Sequence, residues 1–196
     1  MKTDIILSGV GGQGILSIAA VIAQAALKEG LCMKQSEIHG MSQRGGDVQA
    51  NLRLSDKIVA SDLIPKGQAD LIISLEPMES LRYLEFLKKD GWIITNSEPY
   101  VNIPDYPDRD KLMAELEKLP NKVILDAETL AKKLGSPRVA NIALLGAATP
   151  FIGTGYERIA DGIRTIFAHK SEEIVALNLK ALKDGYDFAV KFRKQT

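Results

Sequence analysis

The chain holds a single cysteine, Cys32, among its 196 residues. One thiol excludes an internal disulfide, and it excludes an iron–sulfur cluster ligated by thiolates of this chain alone. Histidine is almost as scarce: His39 and His169 are the only two, and their separation gives no recognisable zinc spacing. Neither sign of charge is in excess, because 25 Lys and Arg stand against 25 Asp and Glu. An overall basic field that would draw the chain to nucleic acid or an anionic membrane is therefore missing. No uninterrupted apolar run approaches the roughly 20 residues of a membrane helix. The first apolar run is broken at Gly9 after a few residues, unlike the core of a secretory leader. These absences lead to the expectation of a cytoplasmic protein with no membrane and no nucleic-acid partner.

What is present fits one globular domain over residues 1–196. The hydrophobic share of 45% is ordinary for a packed core. Thr3 to Leu7 reads as a short buried strand, and Ile15, Ile18, Ala19, Ile22, Ala25 and Ala26 then recur at helical spacing up to Gly30. Strand, glycine turn and helix open a parallel α/β sheet. A short strand over Leu31 to Gln35 leads into the polar loop "SEIHGMSQRGG". In "DVQANLRLS", Val48, Ala50, Leu52 and Leu54 alternate with Asp47, Gln49, Asn51 and Arg53, which predicts a strand with one covered face and one face open to water or a partner. "ADLIISL", "GWIITN" and "KVILDA" repeat the strand signature. A helix is expected from Pro77 through Leu87, and another over Lys111 to Leu119. "SEPYVNIPDYPDRD" reads as a surface excursion. From Glu128 onward the pattern is mainly helical, with a small-residue face at Ala143, Leu144, Ala147 and Ala148 and a last helix at about Glu172 to Lys191. The expected architecture is α/β: a Rossmann-like three-layer domain with a mainly parallel sheet and a helical C-terminal portion.

Gly9-Val10-Gly11-Gly12-Gln13-Gly14 satisfies G-x-G-x-x-G between a strand and a helix. Gly9 allows a tight turn, Gly11 lets a ligand approach the backbone, and Gly14 permits close packing of the helix. Amides exposed at the helix start attract an anion. A dinucleotide site also needs an acid at the tip of the second strand. Glu37 is the nearest candidate and stands inside the polar loop. A structural turn or another anionic ligand is thus favoured over NAD, which stays open as an alternative.

The second distinctive stretch is His39-Gly40-Met41-Ser42-Gln43-Arg44-Gly45-Gly46. Its glycines permit an unusual path, and His39, Ser42, Gln43 and Arg44 supply donors for phosphate, carboxylate or a partner's backbone. Arg44 suits an anion, or equally an ion pair within the protein. His39 has no nucleophile and orienting carboxylate arranged around it in sequence, which favours a structural histidine. Ser42 lacks the G-x-S-x-G elbow of an acyl-transfer serine. Cys32 is expected as a small core residue. A self-contained active site is not visible, and no catalytic residue is assigned.

Taken together, "SGVGGQGILSIAAVIAQAA" and "SEIHGMSQRGGDVQANLRLS" resemble the gamma-type domain of 2-oxoacid:ferredoxin oxidoreductases, and the form "GMSQRGG" resembles the small subunit of the indolepyruvate branch. "ADLIISLEPMESLR", "ILDAETLAKKLG", "RVANIALLGA" and "NLKALKDGYDFA" extend the likeness over nearly the whole chain. The resemblance implies a subunit of a complex that decarboxylates a 2-oxoacid oxidatively, forms an acyl-CoA and reduces ferredoxin. It implies that thiamine diphosphate, Mg2+ and the iron–sulfur clusters reside in a large partner subunit, with CoA as cosubstrate on the side of this domain. On this likeness Gly9, Gly11, Gly12, Gln13 and Gly14, together with His39, Ser42, Gln43, Arg44, Gly45 and Gly46, are the expected edge facing the partner and an anionic part of CoA or substrate.

Overall fold

The computed structural model describes residues 1–39 and 45–193, the side chain of His39 excepted. In chain order the elements are β1 (Lys2–Val10), α1 (Ile15–Lys28), β2 (Cys32–His39), β3 (Asp47–Ser55), β4 (Ala69–Ser74), α2 (Pro77–Arg82), β5 (Leu87–Asn96), α3 (Arg109–Glu117), β6 (Lys122–Leu125), α4 (Ala127–Lys133), α5 (Ala140–Ile152), α6 (Tyr156–Ile166) and α7 (Glu172–Arg193). The strands form one sheet in the order β2-β3-β1-β4-β5-β6. β1, β4, β5 and β6 run parallel, while β3 pairs antiparallel with both β1 and β2. The mainly parallel sheet and the helical C-terminal portion expected from the sequence are both present.

The unbroken apolar run of β1 is explained by cover on both faces. Ile5 and Leu7 join the larger core built with α1, α5, α6 and α7. Ile6 packs on the other face with Ile64, Ile72, Tyr83 and Ile93. Burial on both sides is what makes parallel strands read as continuous hydrophobic segments. Within the C-terminal portion, α5 and α7 touch backbone to backbone. A Cβ placed on Gly185 would lie 1.9 Å from the carbonyl oxygen of Ala143, and one on Gly146 would lie 2.2 Å from that of Leu182. The small-residue face predicted around Ala143 and Ala147 is one half of this contact.

Several sequence expectations are corrected. β2 does not end at Gln35 but continues to His39, because Ser36, Glu37 and Ile38 pair with Asn51, Ala50 and Gln49 of β3. Cys32 is exposed on this strand and is not a core residue. The polar face of β3 is not open: Gln49 and Asn51 are 8% and 2% exposed. The segment after β3 folds back over that face. There Asn51 accepts from the Ile64 amide, and Arg53 donates to the carbonyls of Ser61 and Leu63 while pairing with the buried Asp4. The helix opened by Pro77 stops at Arg82, and Leu87 already belongs to β5, since it pairs with Ala69. Asp126 ends the strand predicted to reach Ala127, because its side chain accepts from the Thr129 amide and caps α4.

Candidate functional site

The strand order reverses at β1: α1 carries the chain to one side, to β2 and β3, and the later segments carry it to the other, to β4 and β5. Ligands of open α/β sheets bind at such a switch point, beyond the carboxyl ends of the strands. The glycine turn lies there. Gly12 and Gly14 take φ values of 101° and 90°, left-handed conformations that side chains disfavour. A Cβ on Gly14 would lie 2.5 Å from Nδ2 of Asn141, which donates to the Gly14 carbonyl at 3.3 Å. This contact seats the start of α1 on α5.

Gln13 braces the turn. Its Oε1 accepts from the Val10 amide at 2.7 Å and its Nε2 donates to the Leu75 carbonyl at 3.2 Å, so the side chain bridges the ends of β1 and β4. A Cβ on Gly9 would come within 2.8 Å of the same Oε1. Conventional dinucleotide geometry is not built here. In that geometry the strand after the first helix lies beside β1 and its terminal acid reaches the ribose. In this chain the antiparallel β3 occupies that place, which puts Glu37 of β2 one strand further off.

The two glycine motifs, separated by more than thirty positions in sequence, meet as one backbone junction. The Gly11 amide donates to the Gly46 carbonyl at 2.8 Å, and the Gly45 amide donates to the Gly11 carbonyl at 3.4 Å. Gly45 has φ 79°, and no atom of the described residues stands within 4 Å of a Cβ built on Gly12 or on Gly45. Gly9, Gly11, Gly12, Gln13, Gly14, Gly45 and Gly46 are thus brought together. β2 delivers the His39 backbone to the same end, opposite Val48. The His39 side chain and the predicted residues Ser42, Gln43 and Arg44 lie outside the described residues.

Behind the junction is a polar cluster that sequence reasoning missed. Glu76, fully buried at the end of β4, accepts from the Glu79 amide at 2.9 Å through Oε2, and from the Tyr100 amide at 3.3 Å and the Tyr106 hydroxyl through Oε1. Burial and the neighbouring Glu76 carboxylate hold the Tyr106 hydroxyl well above its ordinary pKa. Glu79 is also buried. Desolvation raises its pKa despite the ion pair with Arg82 at 2.8 Å. Burial, aided by Asp47, pushes Tyr83 up to about 12. Between Tyr100 and Tyr106, Asn102 donates from Nδ2 to the Gly45 carbonyl at 2.8 Å. The signal for Glu76 was an acid directly before a helix-opening proline; nothing local marked Asn102. Among the described residues no group of three or more His, Cys, Asp or Glu is placed to hold a metal ion, and no helix is long and apolar enough to cross a membrane.

A mainly parallel sheet with an antiparallel strand at its switch point, the ends of β1 and β4 bridged by Gln13 and its glycine motifs joined through the backbone, defines an α/β domain distinct from the dinucleotide-binding class. The chain belongs to the pyruvate ferredoxin/flavodoxin oxidoreductase family, whose model matches residues 4–188. It is 40% identical to the indolepyruvate oxidoreductase subunit IorB of Archaeoglobus fulgidus, with 98% of each chain covered. The crystal structure of the keto/oxoacid ferredoxin oxidoreductase gamma subunit from Geobacter sulfurreducens superposes with a TM-score of 0.72 at 26% identity, over 96% of this chain and 99% of that one. The fold recurs in the 2-oxoglutarate:ferredoxin oxidoreductase of Magnetococcus marinus, with a TM-score of 0.75 at 20% identity. That match covers 97% of this chain but only 31% of the other, which was solved with 2-oxoglutarate, coenzyme A and succinyl-CoA bound.

Proposed function

We propose that the chain is the small subunit of an indolepyruvate-type 2-oxoacid:ferredoxin oxidoreductase of the cytoplasm. The substrate is indolepyruvate or another arylpyruvate. The bond between the keto carbon and the carboxylate breaks, carbon dioxide leaves, the acyl carbon forms a thioester with coenzyme A, and the electron pair released goes to ferredoxin. The observation that carries the reading is the near full-length likeness to IorB, joined to a backbone junction made from both motifs of the sequence.

One cysteine cannot ligate an iron–sulfur cluster, and the sequence carries no Gly-Asp-Gly motif followed by Asn for thiamine diphosphate and Mg2+. Those groups belong to a large partner subunit. This chain contributes an edge: Gly9, Gly11, Gly12, Gln13, Gly14, Gly45 and Gly46, with His39, Ser42, Gln43 and Arg44 completing it. Gly12 and Gly45 leave the backbone open to approach, Gln13 braces the turn, and Arg44 supplies positive charge for an anionic part of CoA or substrate. No acid, base or nucleophile of this chain is assigned a catalytic role. The test is Arg44→Ala in the assembled complex. The expected outcome is intact assembly with a Michaelis constant for CoA raised about tenfold, the scale of one lost charge-assisted contact. Unchanged assembly, CoA constant and turnover would remove Arg44 from the site.

A further inference from the structure

We infer that Asn102 is a positioning residue for the CoA-facing junction, held in place by a clamp that the buried carboxylate of Glu76 closes. The inference rests on the subunit reading above and deepens it. One carboxylate oxygen receives both the Tyr100 amide and the Tyr106 hydroxyl, so a single buried acid fixes both ends of the seven-residue stretch from Tyr100 to Tyr106. The middle of that stretch cannot move far while its ends are pinned. From there Asn102 reaches the Gly45 carbonyl at 2.8 Å, and Gly45 and Gly46 in turn exchange hydrogen bonds with Gly11. A path of hydrogen bonds, joined by the short backbone stretch from Tyr100 to Asn102, thus runs from the end of β4 to the junction of the two glycine motifs.

The chemistry of Asn102 argues for positioning over stability. Its amide orientation is set by Gly45: the carbonyl there demands a donor, so Nδ2 must face it. That choice buries Oδ1, which has no hydrogen-bond partner among the described residues. A buried acceptor without a partner destabilises the fold by about as much as a hydrogen bond stabilises it. Asparagine at this place therefore adds little net stability, while it fixes where Gly45 lies.

The test uses Asn102→Ala and the isosteric Asn102→Asp, each in the full chain and in the complex with its large subunit. The Asn102→Ala variant should not shift the melting temperature by more than a few degrees. Amide hydrogen exchange at Gly11 and Gly45 is expected to quicken in both, since neither retains the Nδ2 donor. In the complex the Michaelis constant for CoA should rise by about three- to tenfold, the effect of one neutral hydrogen bond, with turnover at saturating CoA within twofold of the parent. Unchanged exchange overturns the positioning role whatever the kinetics, and an Asp variant that behaves like the parent does the same by showing that shape alone suffices. Faster exchange with an unaltered CoA constant overturns the link to CoA. If Arg44→Ala raises that constant in parallel, the subunit reading survives and this inference alone fails.

Discussion

Each of Asp4 and Glu79 is a buried acid with an arginine beside it, yet their proton affinities move in opposite directions. At Asp4, burial raises the pKa, but the hydrogen bonds and charges of Arg53 and Lys2 outweigh it and leave the group below its ordinary 3.8. At Glu79, burial prevails over Arg82 and leaves the group above its ordinary 4.5. As pH falls, the unfolded chain takes up a proton at Asp4 before the folded chain does. The stability due to Asp4 is therefore complete above the ordinary carboxylate pKa and is lost as pH falls through the depressed folded value. For Glu79 the sign reverses: its contribution is greatest below 4.5 and declines as pH rises through the raised folded value. Unfolding by urea across pH 3 to 5, about the carboxylate range, should show Asp4→Asn flattening the acid-side loss of stability; an unaltered slope would contradict this assignment. Arg53→Ala should cost about 3 kcal/mol at neutral pH, since it leaves Asp4 charged, buried and short of its main partner. Gln13→Leu, which strands the Val10 amide and the Leu75 carbonyl, should cost about 2 kcal/mol in the same assay. At this scale the glycine motif was legible in sequence because its spacing is local. The Glu76 to Tyr106 contact spans 30 positions and Asn102 to Gly45 spans 57; neither has a sequence period that could announce it.

Among the elements, the pair α5 and α7 is the most constrained. With 1.9 Å between an added Cβ on Gly185 and the Ala143 carbonyl oxygen, Gly185→Ala forces two backbones apart. Thermal unfolding should register a loss of about 3 kcal/mol, at the upper end for overpacking. A control at Gly30, where nothing lies within 4 Å of an added Cβ and φ is 71°, should cost only the smaller conformational strain of about 1 kcal/mol. Periodicity announced most elements, and both faces of β1 were legible as an apolar run. What sequence did not carry was neighbour identity. The alternation of "DVQANLRLS" marks a strand but says nothing of its insertion between β1 and β2, and it gives no sign that the segment after β3 folds back to cover the Gln49, Asn51 and Arg53 face. The end of β2 was misread for a related reason: Ser36 and Glu37 carry weak strand propensity and are held extended by their ladder with β3.

For the whole molecule, both cores lie against one six-stranded sheet, and the glycine junction stands at the end where its strand order reverses. The alternative of a free-standing dinucleotide enzyme was legible in G-x-G-x-x-G and is disfavoured by one feature of the fold: β3 displaces the strand that would carry the ribose acid. The same fold makes up about a third of the longer Magnetococcus chain. The most direct test is anaerobic co-purification of the tagged chain from its native host, with assay of the eluate for thiamine diphosphate, iron and CoA-dependent reduction of ferredoxin by arylpyruvates. The account predicts a large cofactor-bearing partner in constant ratio to this chain, with activity that disappears when either is removed. A solitary, colourless protein that binds NAD(P) would contradict it.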